Sequence, residues 1–104
     1  MRVQFSADAG VYFDDALTRL RLLNRFAAVR FMAKVRRQMR RVGQYPHSGN
    51  AVPEYGHLPI REFIVDPYRF FYCIDERKRR VLIVAVWHGS QQALEPRLPV
   101  PGER

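Results

Sequence analysis

Val81-Leu82-Ile83-Val84-Ala85-Val86-Trp87 is an unbroken run of apolar residues, five of them β-branched or aromatic. A strand with one wet face alternates apolar and polar residues, so a run without alternation reads as a strand covered on both faces. It is the expected centre of a sheet. Upstream, Tyr68 to Ile74 and Ile60 to Val65 are also rich in β-branched and aromatic residues. Asp66-Pro67 between them suits a tight turn, and Asp75 to Arg80 makes a charged one. The C-terminal half is therefore expected to form a three-stranded meander.

The N-terminal half follows a different period. Arg2 to Phe5 alternates, with Val3 and Phe5 on one face, and reads as a short strand. Ser6-Ala7-Asp8 offers an N-cap and an acidic first turn, although Gly10 weakens that turn. Phe13, Ala16, Leu17, Leu20 and Leu23 then recur every three or four residues, as one face of a helix does. Asn24 is suited to end this helix and cap the next. In the second helix Ala28, Phe31, Val35, Met39 and Val42 keep the helical period up to Gly43. Two helices with almost no loop between them make an antiparallel hairpin that must lay its apolar side on something. The stretch from Gln44 to Pro59 is turn-rich.

These elements predict an α+β fold. A small, mostly antiparallel four-stranded sheet packs against an N-terminal helical hairpin in the order β-α-α-β-β-β, with the first strand beside the last. One domain is expected over residues 1–92, followed by a proline-rich tail, 93–104, without periodicity.

Charge narrows the partners. Among 104 residues, 18 Lys plus Arg oppose 10 Asp plus Glu, for a net charge of +8. All but Lys34 and Lys78 are arginine, whose planar fork suits phosphate and carboxylate. RNA, DNA, a ribosome or an acidic protein are thus the candidate partners. Arg30, Lys34, Arg37 and Arg41 line one side of the second helix, as either a solvated face or a phosphate-docking one. The single cysteine, Cys73, excludes an intramolecular disulfide and a multi-cysteine zinc site, and lies in an apolar run as an inert thiol would. Met1-Arg2-Val3-Gln4-Phe5 lacks the apolar core of a signal peptide, and no stretch approaches a membrane span, so a cytoplasmic location is expected.

With the elements placed, four words stand out in order: Val52-Pro53-Glu54, Ile60-Arg61-Glu62-Phe63-Ile64-Val65, Tyr68-Arg69-Phe70-Phe71-Tyr72-Cys73-Ile74-Asp75, and Val84-Ala85-Val86-Trp87-His88-Gly89. Together they resemble the RelE/ParE superfamily of toxins from type II toxin–antitoxin pairs, also known as plasmid-stabilisation or addiction modules. The resemblance implies a cognate antitoxin partner and growth inhibition once that antitoxin is degraded, with no cofactor and no metal. It implies two alternative targets. Ribosome-dependent members cut messenger RNA, with a ribose 2′-hydroxyl attacking the adjacent phosphate. ParE-type members bind DNA gyrase and poison it without catalysis of their own.

Under the first alternative the resemblance assigns Glu54 as base, His88 as acid and Arg69 as phosphate clamp, and Arg61, on the neighbouring strand, is a candidate second clamp. The nucleic-acid surface would comprise Arg30, Lys34, Arg37, Arg41 and Tyr72, with Tyr68 or Tyr72 stacking on a base. Each residue has a plain alternative. Arg69 can pair with Glu62 or Asp75 across the sheet, His88 can be held by packing against Trp87 or Tyr72, and His47 and His57 read as surface histidines. The chain also departs from several ribonuclease members. Gly89-Ser90-Gln91-Gln92 follows His88, where those members carry an aromatic or basic residue.

Overall fold

The computed structural model describes residues 1–89; the tail from residue 93, and Ser90-Gln91-Gln92 before it, lie outside the described residues. In chain order the elements are β1 (Arg2–Phe5), α1 (Ala7–Leu23), α2 (Arg25–Gln44), β2 (Asn50–Ala51), β3 (Arg61–Val65), β4 (Tyr68–Asp75) and β5 (Arg80–His88), with short 3₁₀ turns at Pro46–Ser48 and Pro53–Tyr55.

Local chemistry accounts for the helix ends. Ser6 Oγ accepts a hydrogen bond from the Ala9 amide at 3.1 Å, which starts α1. Asn24 serves both helices. Its amide donates to the Leu20 carbonyl at 2.8 Å, and its Oδ1 accepts from the Phe26 and Ala27 amides, each at 3.0 Å. One residue thus closes one helix and opens the next, and the hairpin needs no further loop. Despite Gly10, α1 is helical from Ala7 onward.

The sheet order is β1-β5-β4-β3-β2. β1 runs parallel to β5, and the other neighbouring pairs are antiparallel. The first strand therefore lies beside the last, as expected. Five strands replace the expected four because Asn50 and Ala51, inside the turn-rich stretch, pair with Glu62 and Arg61. Two residues carry no readable period, which is why this strand is invisible in the sequence.

Both faces of the sheet are buried, by different partners. The hairpin covers one face, where Phe13, Phe31, Val35, Val42, Phe63, Phe70, Tyr72, Ile83 and Val86 form the larger core. Phe63 and Phe70 stack there with centroids 4.8 Å apart, and Phe13 meets Phe70 edge-on at 5.8 Å. The other face is covered by the turn-rich segment. Val52 and Ile60, with Tyr55 and Leu58, pack on Phe71, Cys73, Val84, Ala85 and Trp87. The segment thus forms a second layer over the sheet. Burial pushes the Cys73 thiol up to about 11, in keeping with an inert side chain.

Within β5 the pairing slips by one residue. Tyr72 lies opposite Ile83 but Phe71 lies opposite Ala85, so Val84 is the extra residue of a β-bulge. Val81 and Ile83 face the hairpin, Val84 and Ala85 both face the loop layer, and Val86 faces the hairpin again.

The loop layer is anchored by Tyr72, which is fully buried. Its hydroxyl donates to the Pro46 carbonyl at 2.7 Å and accepts from the Gly49 amide at 2.9 Å. A Cβ at position 49 would collide with that hydroxyl and with the Glu62 carbonyl, so only glycine fits. Tyr72→Phe would leave a buried amide and a carbonyl without their partner. We expect a loss of about 1–3 kcal/mol in denaturant unfolding with an unchanged fold.

Candidate functional site: an arginine between two carboxylates

Arg69 sits on β4 with its side chain on the loop-covered face, opposite Trp87 of β5. Its guanidinium lies 4.8 Å from the centre of the Phe71 ring, and Phe71 in turn meets Trp87 edge-on at 4.6 Å. Two carboxylates converge on it. Glu62, on β3, accepts from Arg69 Nε at 2.7 Å. Glu54, on the 3₁₀ turn, accepts a two-pronged pair from Nη1 at 2.8 Å and Nη2 at 3.1 Å. That turn is set by Pro53 at its first position and by the Tyr55 amide donating to the Val52 carbonyl at 3.0 Å, with Val52 buried beneath.

The electrostatics follow from these contacts. The hydrogen bonds from Arg69 hold the Glu54 carboxyl below its ordinary value of 4.5. Glu54 and then Glu62 raise the Arg69 pKa further above its usual value. Glu62 is the one buried charged side chain among the described residues, at 6% exposure. A carboxylate so placed depends on its cation.

The other two candidate catalytic residues, Arg61 and His88, lie elsewhere. Arg61 is on the hairpin face of β3, paired with Tyr72, and its Nη1 donates to the Gly49 carbonyl at 2.9 Å. His88 is paired with Tyr68, and their rings meet edge-on at 5.3 Å, on the hairpin face. Glu54 and Arg69 are thus brought together on one face, whereas Arg61 and His88 share the opposite face. Of the plain alternatives, Arg69 takes Glu62 and not Asp75, which pairs with Arg80 at 3.2 Å. A neighbour of the His88 ring is Tyr68.

The proposed nucleic-acid residues also separate. Arg30, Lys34, Arg37 and Arg41 are all exposed along α2. Tyr72 is not a surface residue: its ring is in the core and its hydroxyl is committed to Pro46 and Gly49, so it has no face to offer a base. Strand alternation puts Tyr68 and Tyr72 on the same side, and Tyr68 is the half-buried one.

His88 instead lines a cleft of about 810 Å³ between the hairpin and the β3–β4 turn. Its walls are apolar (Leu20, Leu23, Phe31, Tyr68) and its rim carries Arg19, Arg30 and Lys34. Beside it the hairpin tip leaves Leu22, Leu23, Phe26 and Val29 exposed at 82, 84, 68 and 69%. The sequence reading did not single out this cleft. Its signal was present in Leu22, Phe26 and Val29, apolar residues that fall off the buried stripe of each helix. Among the described residues no group of three or more His, Cys, Asp or Glu side chains is placed to hold a metal ion. None of their helices is long and apolar enough to cross a membrane.

The family model described as the ParE toxin of the type II toxin–antitoxin system, parDE, matches residues 4–93. No curated protein matches the chain.

Removing the Arg69 side chain strands Glu62. Arg69→Ala is expected to cost about 3 kcal/mol or more in unfolding free energy, with part of the loss recovered by adding Glu62→Gln. The Glu54 contact has its own pH signature. A carboxylate whose folded-state pKa is depressed contributes stability above its unfolded value and loses it as pH falls through the folded one. The stability difference between the native chain and Glu54→Gln should therefore be full at neutral pH and shrink as pH falls below about 4.5. Thermal melts across that range measure it.

Proposed function

The chain belongs to the ParE toxin family of type II toxin–antitoxin systems, and from that premise we propose that it arrests growth by binding DNA gyrase and not by cutting RNA. As the toxin of such a pair, it has an antitoxin as partner.

The observation that carries the reading is the commitment of Arg69. Cleavage of RNA through a 2′-hydroxyl needs a base, a cation on the phosphate and an acid around one phosphorus atom. Here the cation's Nε, Nη1 and Nη2 are all engaged by Glu54 and Glu62. The carboxylate that would serve as base is the same one that clamps it, and its lowered pKa makes it a weaker base. The histidine that would serve as acid packs on Tyr68, on the far side of the sheet. The trio reads as a latch that ties the 3₁₀ turn to β3 and β4. A toxin without an assembled acid–base pair acts by occupying a target.

The antitoxin is expected in the cleft and over the hairpin tip. Exposed Leu22, Leu23, Phe26 and Val29 need an apolar cover, and the Arg19, Arg30 and Lys34 rim favours acidic flanks, so an acidic amphipathic segment fits. Leu23→Glu should weaken antitoxin binding by about 2 kcal/mol or more, as calorimetry with the antitoxin of the same module would record.

The target is decided by two measurements. Purified toxin should inhibit gyrase supercoiling and accumulate cleaved DNA in vitro, and His88→Ala should retain that inhibition. Primer extension on cellular messages soon after induction should show them intact. Codon-phased cuts, with supercoiling unaffected, would sink the proposal in favour of ribosome-dependent RNA cleavage.

A further inference from the structure

The far end of β4 and β5, roughly 25 Å along the strands from His88, gathers cations from three separate parts of the chain. The β4–β5 turn contributes Arg77, Lys78 and Arg79, followed by Arg80. β1 enters at the same end, with Arg2 beside Arg80 in the parallel register. The last turn of α2 reaches it too. The Met1 amine donates to the Gly43 carbonyl at 2.7 Å, and Arg40 lines a surface depression with Met1, Val3 and Gly43. Six cationic side chains thus meet two carboxylates in this region, Asp75 and Glu76. Among the described residues the one ion pair here is Arg80 with Asp75. Arg2, Arg40, Arg77, Lys78 and Arg79 are exposed.

The turn is held in shape. Asp75 accepts from the Lys78 amide at 3.2 Å and from Arg80 Nε at 3.2 Å, and the Arg79 amide closes the turn on the Glu76 carbonyl at 3.3 Å. Arg79 adopts φ 51°, the one left-handed non-glycine residue among those described. Glycine would take that conformation without steric cost, whereas an arginine bears one. A charged side chain at a backbone position that favours glycine is consistent with use of the charge.

We infer that this end of the molecule grips the phosphate backbone of duplex DNA, through Arg2, Arg40 and the Arg77–Arg79 turn. A protein partner would look for an apolar centre, and among the described residues the four most exposed large apolar side chains are all on the hairpin tip instead. Arginine-rich and set partly on a hydrogen-bonded turn, the surface suits contact with phosphates and not readout of bases. The choice of DNA over RNA rests on the gyrase reading, since gyrase acts on duplex DNA.

Fluorescence anisotropy of a labelled 20-base-pair duplex over a salt series, with the full chain and no gyrase present, tests this. Binding should weaken with salt, and Arg77→Gln/Lys78→Gln/Arg79→Gly should flatten the log–log slope by roughly two to three. Arg79→Gly alone should flatten it by about one while raising the melting temperature, which separates lost contact from lost fold. Arg30→Gln/Lys34→Gln/Arg37→Gln, with the same loss of charge on α2, should change it less. No binding at low salt, equal losses in the two triple variants, or tighter binding to an RNA duplex of the same sequence would each overturn the inference. If the DNA binding holds while supercoiling is untouched, the gyrase reading fails and this one stands.

Discussion

A sheet buried on both faces has no tolerance for ambiguity in which side each residue points to, and that constraint organises this molecule. The hairpin supplies one cover and the segment between α2 and β3 supplies the other, so each buried residue of β4 and β5 is committed to one of two cores. The bulge at Val84 is where the commitment changes sign. Before it, odd-numbered residues of β5 face the hairpin; after it, even-numbered ones do. Without the bulge His88 would fall on the face of Arg69. With it, the imidazole turns to Tyr68 and the cleft, and the arginine is left with Phe71, Trp87 and two carboxylates.

The Glu54–Arg69–Glu62 trio then follows from burial. Glu62 is carried into the loop-covered face by the register of β3, where an ionised carboxylate is costly unless paired. Arg69 is the cation that strand pairing puts in reach, and its remaining fork is free to take Glu54. Since Glu54 is the only member on the loop layer, the pair ties that layer to the sheet. Glu54 and Arg69, two members of the set that the resemblance assigns along the chain, are thus joined in space by Glu62 and not by His88. Among the described residues the exposed surfaces divide by chemistry: apolar with a cationic rim at the hairpin tip, predominantly cationic at the opposite end of the strands.

Much was legible from the chain alone, because period and capping are local. Ser6 and Asn24 announce their helices, the three- and four-residue spacing from Phe13 to Leu20 and from Ala28 to Val42 marks the stripes that pack inward (Leu23, next in the first series, is exposed at the hairpin tip), and the apolar run Val81–Trp87 signals a strand covered twice. The charge excess narrows the partners, and the four words between Val52 and Gly89 point to the superfamily whose family model matches residues 4–93. Tyr72 could not be read this way. Alternation places it on a face, but only the packed loop shows that its hydroxyl is taken by Pro46 and Gly49.

What the chain determined by itself was the kind and order of its elements, since each depends on residues a few positions apart. The tertiary structure alone decided which side chains meet. A run of seven apolar residues is equally content with either parity, so nothing in Val81–Trp87 reveals a one-residue bulge. Two cores closing over the strand select it, and with it the face on which every downstream side chain emerges.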